Sequence, residues 1–138
     1  MGRIYKNMEI YLLSYKIALA LYKLTEKYPA HESQNIISQV RRAATSMPIN
    51  IAEGSTKRTK REFLHYLTYS YGSAKELEVL LNLSKDLNYI TEKECDDALN
   101  ELNKFNAKIF LFLRNIENRV GDRKLRFFQR YNYKLGDS

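Results

Sequence analysis

The chain has 138 residues, 44% of them hydrophobic, and carries a formal net charge of +7 with a pI of about 9.4. This length suits one domain with a buried core, while the single cysteine excludes an internal disulfide and no apolar run approaches the ~20 residues of a membrane span. We therefore expect a cytoplasmic protein without a cofactor whose positive surface meets a polyanion, nucleic acid first.

The first two predicted helices are separated by Pro29. The first extends from about residue 5 to residue 28, and apolar positions at three- and four-residue steps define its inward face: Ile10, Leu13, Ile17, Ala20 and Leu24. The second extends from about residue 33 to residue 54, with an inward face of Ile36, Ile37, Val40, Ala43, Ala44 and Met47. Pro48 is expected to kink this helix, because proline removes a backbone donor and clashes with the preceding turn.

Two capping boxes mark the starts of the third and fourth helices, Thr59 with Glu62 and Thr91 with Glu94. Asn88 is predicted to end the third helix in a left-handed conformation. The inward face of the third helix comprises Phe63, Leu67, Tyr71 (or Ser70), Ala74, Leu77, Leu81 and Leu87. That of the fourth comprises Cys95, Ala98, Leu102, Phe105, Ile109, Phe112 and Ile116. Short connections make successive helices antiparallel, so we predict an all-α, up-down four-helix bundle.

Positive charge is concentrated after the fourth predicted helix. Residues 119–138 contain six basic and two acidic side chains, which gives a net charge of +4 out of the total of +7. We therefore divide the chain into a bundle, residues 1–119, and a basic aromatic tail, residues 120–138.

Two basic regions are candidate RNA contacts, because cations neutralise phosphates and aromatic rings stack on unpaired bases. The first lies in the second helix and the turn after it, and comprises Arg41, Lys57, Arg58, Lys60 and Arg61. The second lies in the tail and comprises Arg123, Lys124, Arg126, Phe127, Arg130, Tyr131 and Lys134. Two alternatives stay open: a solvated charged face, and for the tail a fifth helix or a protein-docking segment.

The sequence predicts no catalytic residue and no metal ligand. His31 and His65 belong to no metal-binding motif, and His65, one turn from Glu62, is interpreted as half of a surface pair. Cys95 lies in the apolar seam of the fourth helix and is interpreted as a small core residue. Residues 54–57 lack the first glycine and the preceding strand of a phosphate-binding loop.

One ungapped segment of the second helix indicates a family. Residues 39–54 read QVRRAATSMPINIAEG. They resemble the signature QxRRAxxSxPxNIAEG of a four-helix-bundle family encoded by intervening sequences in bacterial large-subunit rRNA genes. EF, GS and ELE at residues 62–63, 72–73 and 76–78 resemble the family pattern as well. Residues 69–71 depart from it, because smaller residues are usual there, and the tail lies beyond the common pattern.

The resemblance, over about residues 8–118, implies a homopentameric ring of bundles with a basic surface. The family includes the accessory variability determinant of diversity-generating retroelements. That protein binds a reverse transcriptase and its template RNA, and supports mutagenic cDNA synthesis without being catalytic. RNA and a reverse transcriptase are therefore the expected partners. An orphan rRNA-linked protein, a protein-only scaffold and an enzyme acting at a subunit interface stay open.

Six residues of the resemblance are predicted to serve structure rather than RNA: Arg42, Pro48, Asn50, Glu53, Gly54 and Gly72. Pro48 frees the carbonyl of Ala44, and we expect Asn50 and Glu53 to hold the resulting kink. Gly72 costs its helix about 1 kcal/mol relative to alanine, so a close helix contact is expected to compensate. The small residues Ala43, Ala44, Gly72 and Ser73 also suggest surfaces that approach closely.

Overall fold

The computed structural model describes residues 4–120, of which 116–120 are described by their backbone alone. Its four α-helices are α1 Glu9–Thr25, α2 Ile36–Ser55, α3 Lys60–Asp86 and α4 Glu92–Val120. Short 3-10 turns at Tyr5–Asn7 and Ala30–Glu32 precede α1 and α2, and the described range contains no strand. The prediction of an all-α four-helix bundle is confirmed.

Each helix packs on the next one in the chain, and α4 returns to α1. The helices alternate in direction. Arg41 near the start of α2 donates to Thr25 at the end of α1, and Phe63 near the start of α3 contacts Phe112 in the last turns of α4. Of these four neighbouring pairs, α2–α3 shares the most extensive contact and α1–α4 the least. The up-down order places the α2–α3 turn and the end of α4 at the same end of the bundle.

The core follows the predicted apolar faces closely. All six predicted positions of α2 are buried, as are Phe63, Leu67, Ala74, Leu77 and Leu81 of α3 and Cys95, Leu102, Phe105 and Ile109 of α4. The sequence left open whether Ser70 or Tyr71 faces the core, and both are buried. Two assignments are wrong. Leu87 is exposed because α3 ends before it, and Ala20 is exposed because α1 turns a neighbouring stripe inward.

That stripe of α1 buries two hydroxyl-bearing residues, Ser14 and Thr25. Ser14 Oγ donates to the Tyr11 carbonyl at 2.8 Å, and Thr25 Oγ1 donates to the Leu21 carbonyl at 2.9 Å. Because each hydroxyl is satisfied within its own helix, the core accepts both without an unpaired polar group. An apolar pattern alone favours Ala20 over Ser14, which is why the predicted stripe was rotated.

The helix ends show which local signals are effective. Asn88 has φ = 64°, the predicted left-handed stop. The Thr91–Glu94 box forms in both directions, since the Thr91 amide donates to Glu94 Oε1 at 2.9 Å and the Glu94 amide donates to Thr91 Oγ1 at 3.1 Å. α2 begins at Ile36 rather than near residue 33, because the backbone of Asn35, with φ −113° and ψ −107°, is not helical. It then continues through Pro48 without interruption.

Candidate nucleic-acid interface

Four of the predicted RNA-contact residues lie in the turn between α2 and α3 and in the first two residues of α3. They are Lys57, Arg58, Lys60 and Arg61, and residues 57–61 are called the basic turn below. Lys57 is partly buried and the other three are exposed. Four cations within five residues make this turn the densest positive segment of the bundle.

The turn is tight because two residues shape it. At Gly54, a Cβ atom would lie 2.7 Å from Tyr66 Cβ and 3.0 Å from Phe63 Cδ2, so only glycine lets α2 approach α3 this closely. Thr59 then starts α3 by accepting a hydrogen bond from the Glu62 amide at 3.1 Å. Gly54 therefore brings the end of α2 close to α3, and Thr59 fixes where α3 begins.

Two of the four cations of the basic turn, Arg58 and Lys60, are open to a ligand. Lys57 Nζ lies 5.0 Å from the centre of the Tyr66 ring, a cation–π contact that orients the ammonium group. Arg58 and Lys60 form no ion pair with any residue in the part of the chain that the structure describes. An anion approaching this turn has no internal carboxylate to displace from either of them.

The end of α4 lies beside the basic turn. Phe112 packs edge to face on Phe63, with ring centres 5.6 Å apart, and α4 continues to Val120. The predicted tail contacts lie outside the described residues: Arg123, Lys124, Arg126, Phe127, Arg130, Tyr131 and Lys134. The chain therefore leaves the bundle at the same end that carries the basic turn.

Arg41 is not part of this surface. Its Nε donates to Thr25 Oγ1 at 2.9 Å, and its guanidinium carbon lies 4.8 Å from the centre of the Tyr22 ring. It precedes Lys57 by 16 residues, which corresponds to about 24 Å along a helix axis. The structure thus gives Arg41 a contact between α1 and α2 and does not bring it together with the basic turn.

Sequence reasoning missed a row of aromatic side chains on α3 next to the basic turn. The Tyr69 hydroxyl lies 2.8 Å from His65 Nε2, and the two ring centres are 4.7 Å apart. Tyr66 meets Tyr69 at a right angle, with ring centres 6.1 Å apart. The three- and four-residue spacing of His65, Tyr66 and Tyr69 is the sequence signal for this row. Within the described residues His65 pairs with Tyr69, and not with Glu62 as the sequence predicts.

Residues of the signature meet across a shallow polar groove between α2 and α3, called the signature groove below. Arg42 donates to Glu76 Oε1 at 3.1 Å at one end. In the middle, Ser73 Oγ donates to Ser46 Oγ at 2.8 Å. Asn50 Nδ2 donates to the Ser46 carbonyl at 2.8 Å and contacts Ser46 Oγ at 2.9 Å. Polar groups spaced by four residues on α2 thus face α3.

These contacts change the roles expected for several signature residues. Asn50 binds Ser46 and not the Ala44 carbonyl that Pro48 frees. Glu53 is exposed, and its carboxylate has no partner within residues 4–120. The close contact expected at Gly72 is absent from the protomer, because a Cβ atom there would meet nothing within 4 Å. Gly54 makes such a contact instead.

Residues 4–120 give little support to a metal site, a reactive cysteine or a membrane-spanning helix. That range holds no group of three or more histidine, cysteine, aspartate or glutamate side chains able to bind a metal ion. Burial raises the pKa of the Cys95 thiol above its ordinary value of 9.0, which disfavours the nucleophilic thiolate. Within the same range, no helix is both long enough and apolar enough to traverse a bilayer.

Comparison with known proteins places these features in context. A family model described as 23S rRNA-intervening sequence protein matches residues 6–110. A crystal structure from Bacteroides thetaiotaomicron, a protein with unknown function from the S23 ribosomal protein family, is similar with a TM-score of 0.66 and 22% identity. The similarity covers 75% of this chain and 96% of that chain, and at this identity it shows a shared fold alone. No curated protein matches the chain.

Proposed function

The chain belongs to the 23S rRNA-intervening sequence protein family, and from this premise we propose that it is a non-catalytic RNA-binding accessory protein. Within the family, we propose the role of an accessory variability determinant. Such a protein binds the reverse transcriptase of a diversity-generating retroelement together with its template RNA, and supports mutagenic cDNA synthesis.

The basic turn is the observation that carries this proposal. Arg58 and Lys60 are exposed cations without an internal ion-pair partner in the described range, and they lie on either side of Thr59, the residue that caps α3. Phosphate contacts by such groups release counterions and provide affinity without sequence preference. A basic tail that leaves the bundle at the same end would extend this surface.

Assembly would strengthen the interaction. We propose the homopentamer that the family resemblance implies, because a cyclic assembly repeats one basic turn five times. Several weak phosphate contacts on one particle raise the effective concentration for each further contact.

The test is a salt titration of RNA binding. We expect the affinity of the wild-type protein for RNA to fall steeply with salt concentration. Replacing Lys57, Arg58, Lys60 and Arg61 with glutamine should weaken binding and flatten the salt dependence. A control with the same charge change replaces four exposed lysines outside the turn with glutamine: Lys16, Lys23, Lys93 and Lys104. The control should lose much less affinity.

The other outcomes separate the competing functions. Equal losses in the two variants would assign binding to net charge rather than to the basic turn. A wild-type protein that binds no RNA would favour a protein-only scaffold. Deletion of residues 121–138 tests the tail: if the tail binds a reverse transcriptase, RNA binding survives the deletion while co-purification with the polymerase is lost.

A further inference from the structure

We propose that the signature groove is a subsite for one unpaired nucleobase, which stacks on Tyr69 while the adjoining phosphates contact the basic turn. This inference rests on the proposed RNA-binding function and names the part of the RNA that is recognised. A bound base would account for three features that the packing of one protomer does not explain: the exposed ring of Tyr69, the glycine at position 72 and the unused acceptor of Asn50.

The first argument is the exposure of the aromatic wall. Tyr69 lies at one side of the groove and is 51% exposed, although it sits in the middle of a 27-residue helix that packs on two others. His65 holds the Tyr69 hydroxyl at 2.8 Å and so restricts the ring. A restrained and exposed aromatic ring offers a stacking surface at a small entropic cost, as single-strand-binding proteins use it.

The second argument is the floor of the groove. A Cβ atom at Gly72 would meet nothing within 4 Å, so neither packing nor a positive φ requires glycine there. An alanine would favour the helix by about 1 kcal/mol. What glycine does provide is open space beside Tyr69, and the groove as a whole offers about 400 Å³. A flat ring can approach the backbone of α3 at this position.

The third argument is an unused hydrogen-bond acceptor. The Asn50 amide nitrogen donates to the Ser46 carbonyl, which can only accept, and this contact determines which way the amide faces. Its Oδ1 atom forms no hydrogen bond within residues 4–120, and Asn50 lines the groove. An exocyclic amino group of a base is the matching donor.

The fourth argument is the continuity of the groove with the basic turn. Arg61, His65, Tyr69 and Gly72 recur at three- and four-residue steps, so they lie along one face of α3. Tyr69 follows Arg61 by eight residues, or about 12 Å along the helix axis. At the far end, Arg42 pairs with Glu76 and neutralises the carboxylate that would repel a phosphate. A single strand can therefore place its phosphates on the turn and a base in the groove.

The polar walls favour RNA over a protein partner. Serine, threonine and asparagine side chains line the groove together with Arg42 and Glu76. The groove between α1 and α2 differs, because tyrosines and aliphatic side chains such as Leu19 and Ile49 line it. An apolar helix of a second protein fits that surface better than it fits the signature groove.

The experiment measures binding of labelled oligocytidylate, whose bases carry an exocyclic amino group, and of an RNA duplex of equal phosphate number by fluorescence anisotropy. We expect Tyr69→Ala to weaken single-strand binding about five- to 150-fold, the equivalent of the ~1–3 kcal/mol that a stacked base contributes. Duplex binding and the salt dependence should stay unchanged, because no phosphate contact is lost. Tyr69→Phe should retain most of the affinity, and Gly72→Leu, which fills the groove, should reproduce the loss.

The control is Leu111→Ala on α4. Leu111 is 55% exposed, close to the exposure of Tyr69, and lines neither the signature groove nor the groove between α1 and α2, so single-strand binding should be unaffected. A wild-type protein that binds RNA equally well with Tyr69→Ala and Gly72→Leu would overturn the subsite and leave the proposed function standing. A change of oligomeric state in Tyr69→Ala would assign the groove to a subunit contact and also overturn the subsite. A wild-type protein that binds neither RNA would overturn the proposed function itself.

Discussion

Gly54 and Gly72 lie in adjacent helices and have opposite surroundings. Gly54 is buried where α2 crosses α3, with Tyr66 and Phe63 against its Cα. Gly72 is exposed in the signature groove and contacts no side chain at the position of a Cβ atom. Identical substitutions at the two positions therefore probe packing and helix propensity separately.

We expect Gly54→Ala to destabilise the protein by about 1–3 kcal/mol, because the methyl group would lie 2.7 Å from Tyr66 Cβ and 3.0 Å from the Phe63 ring. Gly72→Ala, the matched control, should stabilise the protomer by about 0.5–1 kcal/mol through helix propensity. Urea unfolding followed by circular dichroism measures both changes. Equal effects of the two substitutions would contradict the packing assigned to Gly54.

At the level of the helices, the start of α4 is tied to the end of α1. Glu94 accepts a hydrogen bond from the Thr91 amide and forms an ion pair with Lys27 just beyond α1. The Lys27 ammonium, followed by the Thr91 amide, holds the pKa of the Glu94 carboxyl below its ordinary value of 4.5. One carboxylate thus caps α4 and joins it to α1, with which α4 has a less extensive contact than with α3.

A pH dependence follows from this lowered pKa. The ionised Glu94 stabilises the folded state above pH 4.5, and that contribution is lost as the pH falls through the lower pKa of the folded protein. We expect Glu94→Gln to melt at a lower temperature than the wild type at pH 7, and the difference to vanish in acid. Thermal melts across this range measure it. Asp97→Asn, which removes only an exposed pair within α4, should change melting less, and a difference for Glu94→Gln that persists in acid would contradict this account.

For the whole molecule, the outer face of α1 and α2 bears on assembly. Leu19 is 60% exposed and Ile49 is 51% exposed beside a row of tyrosines. Contiguous apolar surface of this kind is typical of protein contacts. It is the surface that we expect a neighbouring subunit to cover in the proposed pentamer.

Light scattering tests this expectation. The wild-type protein at micromolar concentration should have about five times the protomer mass of 16.3 kDa. Leu19→Lys should shift the population toward smaller species, because it places a charge in a covered apolar contact. Val79→Lys, at a position of α3 that is 67% exposed, is the control and should keep the wild-type mass. A monomeric wild-type protein would remove the pentamer.

Much of the bundle was readable from local patterns. Apolar residues at three- and four-residue steps identify the helices and most of their buried faces, because a helix of 3.6 residues per turn gathers such positions on one side. Asn88 and the Thr91–Glu94 box act within a few residues of the chain, so their conformations were predicted correctly. The cations of the basic turn are likewise adjacent in sequence.

Contacts between distant residues were decided only by the tertiary structure. The packing of α1 on its neighbours determined that Ser14 is buried and Ala20 exposed, since hydroxyls bonded within their own helix are accepted in a core. The packing of α1 on α2 placed Arg41 beside Thr25, to which it donates a hydrogen bond, and away from the basic turn. The signature groove joins Ser46 and Ser73, which are 27 residues apart, and a one-dimensional pattern does not contain the rotation of one helix against another that brings such residues together.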